Sequence, residues 1–454
     1  MINIIKKYKN VHIYLLIQSI LLAAPLSVSR GYEIVCGFII LWMLKGPYQI
    51  LQGLSLIIII KYLNPAIVEQ TFAIGIIGWV AVFTAVVRSM FSMRLKMLKI
   101  LGPLALFVFT VIVLSVLVSP RLDVSLMKIF AFWIFVSSVI ICALSLSADE
   151  IIKLKDWLIC LFVVIIILSL PMYFIPSIGF NRNAAGFQGI MNHPQVFGTM
   201  LSPLAAWLIS GLIIDRNKLP VWLWVLVLVT VICIFLSQAR TGIVALLLGI
   251  TLGFITGLIK KNIKINLNKS IAVGAALTFI FIVTFLLSGD LRSSAINFVL
   301  KQDQKALSQV EADQITEEFG ASRGVAIQQH WRNFLISPML GTGYGVYPSG
   351  KFPKPVVYYQ GIPVSASVEK GFLPSMILEE IGILGTLMFL YFLFKLSKYV
   401  FNSNDVKWVS MYLSCLFTNL GEATLFAVNG ISQWYWLLIV LCVAYGARSK
   451  WMIK

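Results

Sequence analysis

A small set of side chains in this sequence has the type and position to act on a phosphorylated substrate: Arg182, Arg240, Arg323, His193, His330, Glu369 and Lys370. Arginine can grip a phosphate through two parallel hydrogen bonds, which the point charge of lysine does not reproduce. A carboxylate at a membrane boundary can act as a general base, because partial burial raises its pKa, and an imidazole is the other candidate base. Each residue also has a plainer reading. Arg182 and Arg240 could be arginines at span ends whose heads reach the lipid headgroups, His330 a packed interfacial residue, and Glu369 with Lys370 an interfacial charge pair.

The surrounding segments say how these residues are held. Arg182 and His193 lie in NRNAAGFQGIMNHPQVFG (Asn181 to Gly198), where polar residues and glycines precede an apolar run that starts at Pro194. Proline is common in the first turn of a helix, and that helix end offers free N–H groups to an anion. Arg240 follows a tight turn in LSQARTG (Leu236 to Gly242). Between Arg323 and Pro338, a helix would align Ile327, Trp331, Phe334 and Leu335 into one apolar stripe, so it is expected to lie along the membrane surface. Arg323 and His330 would then sit about 20° apart at the stripe's edge, with Arg332 pointing elsewhere. PMLGTGYG (Pro338 to Gly345) reads as a glycine turn ending this helix, without the spacing of a nucleotide loop. Ser349 to Pro363 carries Pro353, Pro355 and Pro363 and is expected to form an irregular flap; Asp303 to Phe319 reads as a solvated helical arm.

The elements that must position these residues are membrane spans. The chain has 454 residues, is 59% hydrophobic and 12% charged, and has a mean hydropathy of +0.92. No soluble core could hide that much apolar surface. The expected fold is all-α, a polytopic transmembrane helix bundle of about 12 to 14 spans with one large extracytoplasmic loop. The chain divides into N-terminal spans (1-175), central spans with the external re-entry loop (176-288), the large loop (289-370) and C-terminal spans (371-454). The second and third apolar stretches are short.

The net charge of +18 does not indicate nucleic acid, because the basic residues fall in short clusters between apolar stretches, as orientation signals do. Lys6, Lys7 and Lys9 place the N-terminus in the cytoplasm as a retained first helix. Alternation then puts the C-terminus there too and the large loop outside. The six cysteines lie in apolar stretches without C-x-x-C spacing and read as core residues. With no Asp-x-Asp pair, Walker motif or Cys/His pair, neither a metal nor another cofactor is expected. Ionisable residues read as nearly absent from mid-span positions, where an ion-coupled transporter keeps its acids.

Four motifs occur in order: R-N-x-A-G…N-H-P-x-x-F-G from Arg182, S-Q-A-R-T-G from Ser237, R-x(7)-W…P-x-x-G-x-G-x-G from Arg323, and E-x-G-I-L-G from Glu380. In this order the chain resembles the bacterial O-antigen polymerase/ligase family over roughly Phe174 to Phe394. The resemblance implies an inverting membrane glycosyltransferase whose donor and acceptor are glycans, the donor carried on undecaprenyl diphosphate. Arg182 and Arg240 would match the diphosphate-binding arginines and Arg323 the loop arginine, with His193 and Lys370 beside them. Ligase-type members carry His-Asn at the end of the large loop, where this chain has Glu369-Lys370, so the base falls to Glu369 or His330 and the polymerase branch is favoured. Chain-length regulators and export proteins are the partners this branch implies. A ligase of the same family and a lipid-linked oligosaccharide flippase are the alternatives.

Overall fold

The computed structural model describes residues 2–23, 30–69, 71–182, 186–215, 221–260, 325–352, 355–366, 370–426 and 430–452. The apolar stretch 270-288, which the sequence marks as a further span, the arm from Asp303 to Phe319, Arg323 and Glu369 lie outside these residues.

The helices are α1 (Ile2–Ala23), α2 (Gly31–Met43), α3 (Pro47–Lys61), α4 (Phe72–Met90), α5 (Leu98–Val118), α6 (Leu122–Ser145), α7 (Ala148–Ser169), the single turn α8 (Pro176–Gly179), α9 (Pro194–Ile214), α10 (Val221–Leu236) and α11 (Arg240–Ile259). They continue, in the described part of the chain, with α12 (Val325–Ile336), α13 (Leu373–Phe401), α14 (Val406–Phe417) and α15 (Ser432–Met452). Among the described residues, seven helices are long and apolar enough to cross a membrane, and α2, α3 and α10 are shorter apolar helices. This is an all-α polytopic bundle.

The helices are apolar on both their inner and outer sides, as expected where lipid replaces water outside. Phe83, Phe109, Leu117, Leu247 and Phe394 point outward, while Phe107, Phe132, Phe389, Phe426 and Trp436 form an aromatic core with centroid separations of 5.2 Å (Phe107 to Phe389), 4.8 Å (Phe389 to Phe426) and 5.7 Å (Phe132 to Trp436). Since lipid tails are as apolar as leucine, close backbone approach and hydrogen bonds hold such helices together. Gly249 and Gly253 of α11 sit against Ser410 and Ser414 of α14, and Ser210 of α9 meets Ser410 at 2.9 Å.

An apolar span is expected at 408-427, yet α14 stops at Phe417 and gives way to one 3-10 turn. Asn419 ends it. Its amide donates back to the Cys415 carbonyl (3.2 Å) while its Oδ1 accepts from Leu425 N–H (2.9 Å), so the side chain satisfies the backbone of a loop rather than a further helical turn. The expected irregular flap is partly ordered as a hairpin, β1 (Val357–Tyr359) with antiparallel β2 (Ile362–Ser365). Gln360 and Gly361 between them both have positive φ, 48° and 79°, the twist of a two-residue hairpin turn. Pro363 is tolerated because a strand of a two-stranded sheet is always an edge.

The helix ends sort into two groups. At one end Lys407 pairs with Asp215 (3.2 Å), Arg448 donates to the Leu144 carbonyl (3.1 Å), and Lys260 donates to the Phe401 carbonyl. At the other, the loops that carry the candidate residues meet. Asn64 donates to the carbonyls of Ile178 and Gly189, Phe187 N–H to Leu236, and Tyr344 OH to Phe426.

Candidate active site

Two local structures form at this loop end. The first joins the loop before α9 to the turn before α11. Gln188 N–H is held by the Gly179 carbonyl (2.8 Å) and Ile190 N–H by the Ser169 hydroxyl (3.2 Å), which ties the loop to the end of α7. In the turn, Gln238 has a φ of 53° and the Ser237 hydroxyl accepts from Ala239 N–H, so the chain reverses within three residues and α11 opens on Arg240. The two pack closely: a β-carbon on Gly186 would come within 2.7 Å of the Ser237 carbonyl oxygen, and one on Gly198 within 2.5 Å of the Ala239 β-carbon.

Arg182 is exposed in this structure, its backbone N–H held by Gln188 Oε1 (3.0 Å), and Arg240 is half-buried. His193 is the N-cap of α9, its Nδ1 accepting from Gln195 N–H at 3.1 Å. That nitrogen is therefore engaged in capping, as Ser, Asp or Asn oxygens are elsewhere.

The second structure is a broken helix. α13 is interrupted at Gly382 (φ 59°, ψ −169°), a conformation open only to glycine. A break frees carbonyls and N–H groups that lipid could not satisfy. The PMLGTGYG turn satisfies them: Thr342 and Gly343 N–H donate to the carbonyls of Glu379 (2.8 Å) and Glu380 (3.0 Å), while Ile383 and Leu384 N–H donate to those of Pro338 (2.9 Å) and Met339 (3.3 Å). The expected glycine turn is present, and its role is to fill the break.

The charges gather beside it. Lys370 Nζ lies 3.3 Å from Glu379 Oε1 and 3.0 Å from Glu380 Oε1, and donates to the Val346 carbonyl (2.7 Å). Glu380 Oε2 accepts from Gly345 N–H (2.8 Å), and Lys128 of α6, which also feels Glu380, donates to the Gly345 carbonyl (2.6 Å). All of Lys370, Glu379 and Glu380 are buried. Burial works against the Lys370 ammonium, but Glu380 and Glu379 outweigh it and its pKa lies above the ordinary value. Two lysines thus face two carboxylates, which a low-dielectric interior requires.

His330 reaches the same cluster. Its Nδ1 lies 2.8 Å from Ser375 Oγ, and its Nε2 3.6 Å from Glu379 Oε2; Asn333 donates to Glu379 Oε1 (2.9 Å). The sequence expectation set His330 at the edge of a surface stripe. Instead it is buried together with Phe334, while Trp331 and Leu335 face outward. The reason lies in α13, where Ser375 and Glu379 are one helical turn apart and offer partners to both ring nitrogens. Burial, with Lys370 nearby, pushes the imidazole down to about 4, so it is neutral at physiological pH. A neutral imidazole with a carboxylate behind one nitrogen and a hydroxyl at the other can take a proton through that hydroxyl.

Of the expected residues, His330 and Lys370 are thus brought into one cluster through Glu379, while Arg182, Arg240 and His193 share the first structure. The two structures are linked. Thr241 packs where Gly421 lacks a side chain, and the same loop accepts from Tyr344 at Phe426. Sequence reasoning assigned no role to Glu379, Glu380, Lys128, Asn333 or Ser375. The available signal was the pair of acids near the start of an apolar helix. No protein-family model matches the chain, and no curated protein matches it.

Proposed function

We propose that the protein is a metal-independent inverting glycosyltransferase that polymerises undecaprenyl-diphosphate-linked repeat units at the outer face of a bacterial inner membrane. One observation carries this reading. The described parts of the four motifs in the family resemblance fold into two units: the loop after Arg182 packs on the S-Q-A-R-T-G turn, and the glycine turn hydrogen-bonds across the break in E-x-G-I-L-G. Motifs remote in sequence that meet at one end of the bundle are what a shared site requires.

In the proposed reaction Arg182 and Arg240 hold the diphosphate, where guanidinium groups meet the charge that develops as it leaves. An acceptor hydroxyl attacks the anomeric carbon, the bond from that carbon to the diphosphate oxygen breaks, and the hydroxyl proton passes through Ser375 to Nδ1 of His330. Glu379 stabilises the resulting imidazolium. Purified full-length protein, given lipid-linked repeat units, should lengthen them; failure to do so discards the enzyme.

A flippase is favoured by a different observation: Glu379, Glu380 and Lys128 are charges inside apolar helices, as transporters have. In reconstituted vesicles a flippase would carry the lipid-linked unit across the bilayer without lengthening it.

A further inference from the structure

Above the buried charges lies an open groove of about 430 Å³, lined by Arg121, Lys351, Phe352, Pro355 and Tyr358. Its volume falls in the range of small-ligand sites. Arg121 and Asp123 form a two-pronged pair (Nε to Oδ1 3.2 Å, Nη2 to Oδ2 3.1 Å), and the Tyr358 hydroxyl donates to Asp123 Oδ2 (2.6 Å) and also contacts Arg121. This joins Arg121, Asp123 and the Tyr358 hydroxyl into one hydrogen-bonded array, with the Tyr358 ring itself exposed. Phe352 forms part of the floor, 5.7 Å from the Arg121 guanidinium and 5.9 Å from Lys128 Nζ.

The charge balance indicates what fits. Of the two cations in the lining Arg121 is matched by Asp123, so the groove presents a hydrogen-bonding network, aromatic faces and the one exposed ammonium of Lys351 rather than a cluster of guanidinium groups. A diphosphate needs unpaired guanidinium groups, whereas a saccharide needs alternating donors and acceptors plus a flat apolar surface for its C–H face. The groove is also continuous with the cluster. Lys128 Nζ lies over the Phe352 ring, the same nitrogen donates to the Gly345 carbonyl, and Gly345 N–H donates to Glu380; the Tyr347 ring lies 6.1 Å from that of Phe352 and 5.5 Å from Lys370 Nζ.

We propose that this groove binds the saccharide portion of the substrate, a few sugar units away from the reacting bond. The proposal rests on the glycosyltransferase reading for its substrate class, but binding and elongation can be measured separately. The probe is oligosaccharide released by mild acid from the surface polysaccharide of the source cells, titrated by saturation-transfer NMR against full-length protein in nanodiscs. Phe352→Ala and Tyr358→Phe should each weaken binding about tenfold or more, while Phe109→Leu, on the outward face of α5, should bind as wild type does. Tyr358 is exposed, so its variant keeps the fold if Phe352→Ala does not.

Wild-type binding unchanged by Tyr358→Phe overturns the groove, as does displacement of the sugar by inorganic pyrophosphate. Elongation of lipid-linked units by a wild type that binds no released oligosaccharide also overturns it and leaves the enzyme reading standing. Groove-dependent binding without elongation supports the groove and removes the polymerase.

Discussion

A β-carbon on Gly341 would lie 2.6 Å from the backbone nitrogen of Gly382, and one on Gly382 would lie 2.6 Å from the backbone nitrogen of Gly341. The glycine turn and the helix break are therefore complementary surfaces, and each residue also has a positive φ, 79° and 59°. Gly341→Ala or Gly382→Ala should destabilise the protein by about 2 to 4 kcal/mol, since backbone cannot yield as a flexible side chain can. Thermal unfolding in detergent would read this as a lowered midpoint. An unchanged midpoint in both variants would mean that the turn does not fill the break.

Lys370 is the cation shared by Glu379 and Glu380. Lys370→Met leaves buried carboxylates short of a partner and should cost about 3 to 5 kcal/mol. Adding Glu380→Gln to that variant should recover part of the loss. Additive costs in this double-mutant cycle would show that the pair is not coupled.

The buried imidazole has a pH signature of known sign. His330 titrates at about 4 in the folded protein against 6.5 ordinarily, so between those values the unfolded chain binds more protons. Its contribution to stability is fully present above 6.5 and is lost as pH falls towards 4. His330→Gln should flatten the stability profile in that window. If His330 is the base, elongation should persist at pH 5.5 instead of halving near 6.5. Halving near 6.5 would point to a more exposed histidine or to another group.

Lys370 contributes at the other extreme. Its folded pKa is raised, so the stability it provides is present below 10.5 and declines as pH rises through the folded value. The wild type should exceed Lys370→Met in stability through neutral pH, and the gap should close only on the alkaline side, as Lys370 loses its proton. Parallel curves throughout would remove Lys370 from the balance.

Arg240 opens α11 directly after the turn that packs on the Arg182 loop. Arg240→Ala should abolish polymer in cells while protein level stays normal, and Arg240→Lys should restore little, because a point charge does not replace a two-pronged grip. Normal chain lengths in Arg240→Ala would remove the residue from the mechanism.

Composition and hydropathy alone determined that this is a membrane helix bundle, because a chain this apolar has no other solvent in which to fold. The order of its motifs also marked the Arg182 loop, the Arg240 turn and the glycine turn as places to look. Which residues form the charged cluster was decided only by tertiary structure. Glu379 and Glu380 are silent in a hydropathy profile, since two acids hardly lower the average of a 29-residue helix. Their cluster exists only because Lys370, His330 and Lys128 arrive from three other segments. The break at Gly382 is equally invisible in sequence, because glycine is tolerated in an unbroken span; it becomes a break only where another turn of chain supplies the backbone hydrogen bonds that lipid cannot.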